Sequence, residues 1–207
     1  MARRVYHRII QLVLKAAELA RSIGITNLLQ PGLVKEMIIA DILGHELIYS
    51  KRDADAHAPG NPDEKYEYLS CKEGGSGQLD RMFKEPAHRR AESLGRITRN
   101  RKVHFAVFYA SNQTKCKMIY EIEVDVMVAE AERQLDRSRN AISHVGFSIA
   151  WARRNGRTVY EDKTLAENRI KIHELRGADG RLFRSPSKKE GTMRRMACER
   201  ELLQHKE

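Results

Sequence analysis

The acidic residues and the lysine between positions 53 and 85 are the side chains of this sequence best suited to chemistry. Asp53 and Asp55 lie in a short acidic turn, and Glu67 and Lys72 lie in the β-rich segment that follows. Hard cations such as Mg²⁺ take oxygen ligands, so two or three neighbouring carboxylates suit such an ion. A lysine beside them can hold an attacking water or offset charge on a phosphate. The pattern predicts a Mg²⁺ site; a solvated turn followed by an ordinary strand is the alternative.

The elements around these residues follow from apolar spacing. Apolar residues every three or four positions predict a helix over about 33–43, which Gly44 ends. Glu36 lies near the start of this helix, where it either interacts favourably with the helix dipole or adds a metal-linked carboxylate. A short strand is predicted over 46–49, and a second over 66–71, where aromatic residues suit a pleated surface.

The other predicted elements complete an α/β pattern in one domain over residues 1–176. They are an amphipathic helix from Val5 to Ile23 packed on the core, helices over 77–84, 89–97 and 129–135, a central hairpin of strands 103–109 and 118–124, a second hairpin of 145–151 and 158–160 around Asn155-Gly156, and a strand over 170–175. Residues 177–207 are predicted to be a basic C-terminal extension that orders on nucleic acid, with a short helix over 193–203.

The net charge of +10 and the isoelectric point near 9.6 favour polyanionic partners, nucleic acid above all. No apolar run approaches the roughly 18 residues of a membrane span, so no membrane partner is expected. The N-terminal segment lacks the apolar stretch of a signal peptide, and the three cysteines have no metal-ligand spacing. These features indicate a cytoplasmic protein.

Two basic groups are candidate DNA contacts, although such runs also occur as solvated surfaces. The first group is Arg96, Arg99, Arg101 and Lys102, and the second is Arg153, Arg154 and Arg157 at the tip of the predicted second hairpin. A ribbon with arginines at its tip can enter the major groove, where arginine pairs with guanine.

The order of these elements resembles the PD-(D/E)xK nuclease superfamily and, within it, the type II restriction endonucleases. The resemblance covers about residues 33–125 and is carried by Asp-Ala-Asp-Ala at 53–56, Lys-Tyr-Glu-Tyr at 65–68 and the apolar runs 103–108 and 119–122. It implies a restriction-endonuclease-like fold with a mixed central sheet flanked by helices. It also implies Mg²⁺ as cofactor, double-stranded DNA as substrate and a homodimer, since cutting both strands of a palindrome needs two sites related by a two-fold axis.

The sequence departs from the family pattern at the lysine. If Glu67 is the second acid, a lysine is expected at position 69, where this chain has Leu69. Lys72 would join Glu67 only through a bulge or the end of the strand. In a second alignment, Ser70-Cys71-Lys72 resembles the Ser-x-Lys form of the family, and Glu85, thirteen residues after Lys72, supplies the missing carboxylate.

The resulting hypothesis is a Mg²⁺-dependent endonuclease that cuts double-stranded DNA at a short specific site. Asp55 and either Glu67 or Glu85 bind the metal, Glu36 is a further possible ligand, and Lys72 orients the water or stabilises charge. Two rival hypotheses are a non-catalytic, basic nucleic-acid-binding protein and a structure-specific repair or recombination nuclease.

Overall fold

Helices and strands alternate along the chain in an α/β fold. The computed structural model describes residues 2–49 and 53–164, and the described residues up to Asp162 belong to one compact unit. The elements are α1 (Ala2–Ser22), α2 (Leu33–Leu43), β1 (Glu46–Leu47), β2 (Ala56–Ala58), β3 (Asn61–Lys72), β4 (Ser76–Phe83), α3 (Ala87–Thr98), β5 (Lys102–Phe108), β6 (Cys116–Ile122), α4 (Val124–Arg137), β7 (Ile142–Ser148), α5 (Ile149–Asn155) and β8 (Arg157–Glu161).

A mixed sheet of six strands, in the order β1-β2-β3-β5-β6-β8, forms the centre of the fold. β1, β2 and β3 form an antiparallel meander, and β3 pairs in parallel with β5. A parallel neighbour requires a crossover connection, which here includes α3. β6 and β8 continue the sheet in antiparallel fashion, and β4 and β7 form a separate two-stranded sheet.

Side chains are buried on both faces of the central sheet. On one face, Leu69 and Phe105 belong to a core that also contains Ile97 of α3 and Leu135 of α4. On the other face, Tyr66 and Tyr68 pack in a core with Ile39 of α2. The alternation along β3 therefore assigns Glu67 to the face of Leu69.

Most of the predicted elements are confirmed. The helix over 33–43 has the predicted bounds, and its C-cap Gly44 has a φ of 70°, a left-handed conformation that favours glycine. The strand over 66–71, the helices over 89–97 and 129–135, and the central hairpin correspond to β3, α3, α4 and the antiparallel pair β5–β6.

Two local predictions are wrong. Residues 77–84 form a strand, β4, because Gly77 packs against the central sheet: a Cβ there would lie 2.8 Å from Phe105 Cε2. The second hairpin does not form either, since α5 separates β7 from β8 and the two strands belong to different sheets. The Ser148 hydroxyl accepts a hydrogen bond from Trp151 N at 3.1 Å and caps that helix.

Helix α1 forms where a helix was predicted, with bounds Ala2–Ser22, but the prediction that its apolar face packs on the core is wrong for most of that face. Ala20 is buried, whereas Val5, Ile9, Leu12 and Leu19 are exposed. No helix in the described ranges 2–49 and 53–164 is long and apolar enough to cross a membrane. The strand over 170–175, the basic extension with its helix, and the domain boundary after residue 176 lie outside the described residues.

Candidate active site

Asp55 is fixed against β3 by its backbone and by its side chain. Its backbone N–H donates to Tyr66 O at 3.1 Å, and its carbonyl accepts from Ile48 N at 2.9 Å, so it extends the ladder just before β2 begins. The Oδ2 atom accepts a hydrogen bond from Tyr68 N at 2.7 Å. The Asp55 carboxylate thus accepts the hydrogen bond that Tyr68 N would otherwise donate to a neighbouring strand, and this bond fixes the position of the carboxylate.

Glu67 lies on β3, next to the residue that Asp55 contacts. Its side chain is only 15% exposed, and Oε2 lies 3.8 Å from Arg99 Nη2. That oxygen accepts no hydrogen bond from the residues that the structure describes. A buried carboxylate with an unfilled hydrogen-bonding position is unfavourable when ionised, so it favours a proton or a cation as a partner.

Glu36 approaches the site from the first turn of α2. Gly32, the N-cap, has a φ of 92°, a conformation that favours glycine, and its Cα lies close to the Glu36 carboxylate, since a Cβ there would be 2.9 Å from Glu36 Oε1. Glu36 and Asp55 both line a cavity of about 490 Å³. The rest of its wall comes from the α1–α2 connection, the start of α2, and Ile48 and Tyr49 after β1.

The three carboxylates share one electrostatic environment. Burial raises the pKa of Glu36 to about 7, and the charge of Asp55 adds to the increase. Burial raises the pKa of Asp55 to about 6, against the opposing effects of Tyr68 N–H and of Arg99 and Arg96. Burial and the charge of Asp55 raise the pKa of Glu67 to about 8, although Arg99 and Arg96 oppose the shift. The site therefore holds protons near neutral pH that a divalent cation would displace.

Arg96 and Arg99 supply positive charge to this group from the C-terminal end of α3. They are three residues apart and so lie on the same side of the helix end. Arg96 Nη1 also donates a hydrogen bond to Asp80 O at 2.9 Å. The sequence analysis identified both arginines as DNA contacts but missed their proximity to the acids; the absent lysine at position 69 and the spacing of the two arginines were the available signals.

Lys72 does not join the site. The register of β3 with β5 is continuous from Tyr66 to Lys72, so this part of β3 has no bulge that would bring Lys72 to the face of Glu67. Lys72 is exposed at the end of β3, about 16 Å along the strand from Glu67 at about 3.3 Å per residue. The structure therefore does not place Lys72 beside Glu67.

Glu85 is also separate from the three acids. It is exposed and lies between β4 and α3. Among the described residues, the charges that shift the pKa values of Asp55 and Glu67 do not include Glu85. The charge of Asp55 thus acts on both Glu36 and Glu67, whereas Glu85 lies outside this group.

Asp53, the other acid of the turn, forms an ion pair instead. Both of its carboxylate oxygens accept hydrogen bonds from Lys65 Nζ at 2.9 Å. This pair holds the pKa of Asp53 below its usual range, with the hydrogen bond from Lys65 as the largest cause. Asp53 therefore differs from Asp55, two residues further along, in both partner and protonation.

The remaining predicted DNA contacts lie in several environments. Arg101 is exposed, and Lys102 pairs with Glu123. Arg153 and Arg154 lie on α5 instead of a hairpin tip. Arg157 Nη2 is 2.9 Å from Glu121 Oε1, so part of its charge is neutralised within the fold.

A cluster that was not predicted from the sequence lies on the face of the sheet shared by Tyr66 and Tyr68, opposite to the face of Glu67. His45 Nδ1 and the Tyr68 hydroxyl are 2.8 Å apart, and the ring centroids of His45 and Tyr66 are 4.0 Å apart in a stacked arrangement. Burial lowers the pKa of the neighbouring His104 to about 4, so its imidazole is neutral at physiological pH. The cluster fixes Tyr68, whose backbone in turn holds Asp55.

Carboxylates with raised pKa values beside two arginines can bind a hard cation, transfer a proton or hold a phosphate. Among residues 2–49 and 53–164, no three side chains of His, Cys, Asp or Glu already form a group that could hold a metal ion. No protein-family model matches this chain, and no curated protein matches it either.

Proposed function

We propose that this chain is a Mg²⁺-dependent endonuclease of the PD-(D/E)xK type that hydrolyses phosphodiester bonds in double-stranded DNA at a short specific site. The observation that carries the proposal is the convergence of Asp55 and Glu67 on β3 under the charge of Arg99. The donors fit the ion, because Mg²⁺ prefers carboxylate oxygens and is usually held by one or two of them, with water and phosphate oxygens completing its shell. The buried Oε2 of Glu67, which lacks a hydrogen-bond donor among the described residues, is suited to such a role.

Each residue of the site has a distinct role in this proposal. Asp55 and Glu67 would hold the ion, which when bound would lower the pKa of a water and neutralise charge on the phosphate. Glu36, in the wall of the cavity and with a pKa raised to about 7, is suited to accept the proton of the attacking water near neutral pH. Arg99, together with Arg96, takes the place of the missing lysine by offsetting charge on the phosphate.

A basic protein that only binds nucleic acid accounts for the net charge but not for this site. A phosphate-binding surface gains nothing from carboxylates beside its arginines, since like charges repel the phosphate. Burying Glu67 with a pKa raised to about 8 also lowers the stability of the folded protein when that group ionises. Such an arrangement is typical of functional sites.

The proposed activity predicts Mg²⁺-dependent cleavage of duplex DNA. A long, sequence-diverse duplex incubated with the protein and Mg²⁺ should give discrete fragments on a gel, and EDTA should prevent their formation. Cleavage restricted to branched or flapped DNA would favour the structure-specific nuclease. Metal-independent binding that falls steeply with salt, with no cleavage of any duplex or branched DNA, would favour the non-catalytic protein.

Because Arg99 and not Lys72 is proposed to offset charge on the phosphate, substitutions at these two residues should have different effects. We expect Arg99→Ala to lower the single-turnover cleavage rate by about 10²-fold, as expected for loss of one group that stabilises the transition state. The matched variant Lys72→Ala should cleave within about twofold of wild type, because Lys72 lies at the far end of β3.

Stability must be measured alongside these rates, since Arg99→Ala leaves the buried Glu67 without this arginine. Arg99→Lys retains the charge and should recover part of the rate at unchanged melting temperature. A loss of cleavage in Lys72→Ala with normal cleavage in Arg99→Ala would show that Lys72, and not Arg99, offsets the charge on the phosphate.

A further inference from the structure

Strands β4 and β7 form a two-stranded antiparallel ribbon with one buried face and one exposed face. The buried face contributes four side chains to the core: Leu79, Met82, Val145 and Phe147. The residues of the opposite face that carry exposed side chains able to form hydrogen bonds in a DNA groove include Gln78, Asp80, Arg81 and His144. We call these four residues the outer face of the ribbon.

The pairing of β4 with β7 contains a bulge on this outer face. The register of the two strands shifts between Leu79 and Met82. Two residues of β4, Asp80 and Arg81, therefore lie opposite one residue of β7, His144. Asp80 and Arg81 are both exposed although they are neighbours in sequence, so the bulge interrupts the alternation of the strand. Bulges of this kind re-aim a side chain and are frequent next to active sites.

Arg81 has a backbone conformation that disfavours an arginine. Its φ is 52°, and it is the only non-glycine residue with a positive φ in the described part of the chain. Left-handed backbone is unfavourable for a residue with a Cβ, whereas glycine adopts it freely. The side chain is exposed, and no hydrogen bond or ion pair joins it to another described residue. An arginine held in strained backbone without a structural contact points to a function.

Asp80 connects the bulge to the carboxylate site. Its Oδ1 lies 2.8 Å from His144 Nδ1, which fixes the bulge to β7. Its backbone O accepts the 2.9 Å hydrogen bond from Arg96 Nη1. The charge of Arg96 in turn opposes the rise in the pKa values of Asp55 and Glu67. The bulge therefore lies beside the same arginine that acts on both carboxylates.

We propose that the outer face of the ribbon reads the major groove of DNA beside the phosphate that the carboxylate site cleaves, with Arg81 donating two hydrogen bonds to a guanine. The inference rests on the proposed function, because its ligand is the same double-stranded DNA. The major groove of B-DNA admits a two-stranded ribbon, and an arginine that reaches it pairs with O6 and N7 of guanine. The major groove of double-stranded RNA is too deep and narrow for side chains to read, so the ribbon suits DNA.

Gln78 adds a second reading group to the outer face. It precedes the bulge by two residues of β4 and is exposed on the same side as Asp80. A glutamine amide pairs with N6 and N7 of adenine in the major groove. The ribbon thus carries two side chains whose hydrogen-bonding groups distinguish base pairs, and Arg81 is the one whose backbone conformation calls for an explanation.

Selection from a pool of short duplexes with a randomised central segment tests this assignment without cleavage. The wild-type protein, in EDTA, should enrich duplexes that share a G·C pair at one position. Replacing that pair should weaken binding by the wild type about 10- to 100-fold, as expected for one bidentate arginine contact. Arg81→Gly should bind all four base pairs at this position about equally, while its preference at the other selected positions remains.

The same variant separates base reading from a role in the fold. Glycine adopts a φ of 52° without strain, and this gain offsets the greater freedom of its unfolded chain. The melting temperature of Arg81→Gly should therefore stay close to that of the wild type, and a marked fall would assign Arg81 to the fold and overturn the proposal. Arg81→Lys keeps the charge but not the planar fork, so it should lose the guanine preference and keep much of the affinity.

Arg139→Ala is the matched control, because it removes an exposed arginine outside the ribbon and should keep the preference. Loss of the preference in this variant too would contradict the assignment, as would an Arg81→Gly protein that binds every duplex more weakly with its preference intact, which is the result for a phosphate contact. A wild type that enriches no sequence would overturn the inference even if Mg²⁺-dependent cleavage occurs. Selection of guanine through Arg81 by a protein that cuts no DNA would support the ribbon assignment and refute the nuclease proposal alone.

Discussion

Changing Asp55 to asparagine should lower Mg²⁺-dependent DNA cleavage by about 10³-fold or more. The asparagine keeps an oxygen that can accept the 2.7 Å hydrogen bond from Tyr68 N, so the link between Asp55 and β3 remains. The change removes the negative charge that would hold the ion, and with it the means to activate water and to neutralise the phosphate. DNA binding without metal should be unchanged or tighter, since a charge that repels phosphate is lost.

Asp53→Asn is the matched control for this experiment. Asp53 is two residues away in the same turn, but its carboxylate pairs with Lys65, so cleavage should stay within a few-fold of wild type. Single-turnover cleavage and DNA binding measured on both variants separate chemistry from affinity. Normal cleavage by Asp55→Asn would show that the catalytic centre lies elsewhere.

The acids of the site could be identified from the sequence because each occupies a recognisable local position. Asp55 lies in an acidic turn, Glu67 in an aromatic strand and Glu36 in the first turn of a helix. The antiparallel meander β1–β2–β3 brings the turn and the strand together, although β2 was not among the predicted strands. The sequence left Glu67 and Glu85 as alternatives; in the structure the charge of Asp55 acts on Glu67, whereas Glu85 is exposed between β4 and α3.

The errors arose where a distant partner decides the local structure. Most of the predicted helix over 77–84 is instead strand β4, because residues 76–83 pair with β7, with Ser76 opposite Ser148, and because Gly77 fits against Phe105. The bulge that Lys72 would need in order to join Glu67 does not form, because β3 pairs with β5 in a continuous parallel register. The proximity of Arg99 to Glu67 depends likewise on the packing of α3 against the sheet.

The second large effect is expected for Glu67→Gln, in stability as well as in cleavage. Burial raises the pKa of Glu67 from its ordinary value of 4.5 to about 8 in the folded protein. Between these values the folded state binds more protons than the unfolded state, so this group contributes less stability as pH rises from about 4.5 to about 8. Glutamine does not titrate. Without metal, the difference in unfolding free energy between the variant and the wild type should therefore increase, in favour of the variant, by on the order of 2–4 kcal/mol as pH rises from 5 to 8.

Mg²⁺ should reverse this difference if Glu67 is a ligand. At pH 8 the ion replaces the proton on Glu67 and stabilises the wild-type protein, whereas Glu67→Gln should respond little and should also lose cleavage. Glu85→Gln is the matched control, because Glu85 is exposed and outside the carboxylate group; it should resemble wild type in pH dependence, Mg²⁺ response and cleavage. Denaturant unfolding at pH 5 and pH 8, with Mg²⁺ and with EDTA, measures all of these effects. If Glu85→Gln abolished the Mg²⁺ response while Glu67→Gln preserved it, the second carboxylate of the metal site would be Glu85, and the raised pKa of Glu67 would reflect burial alone.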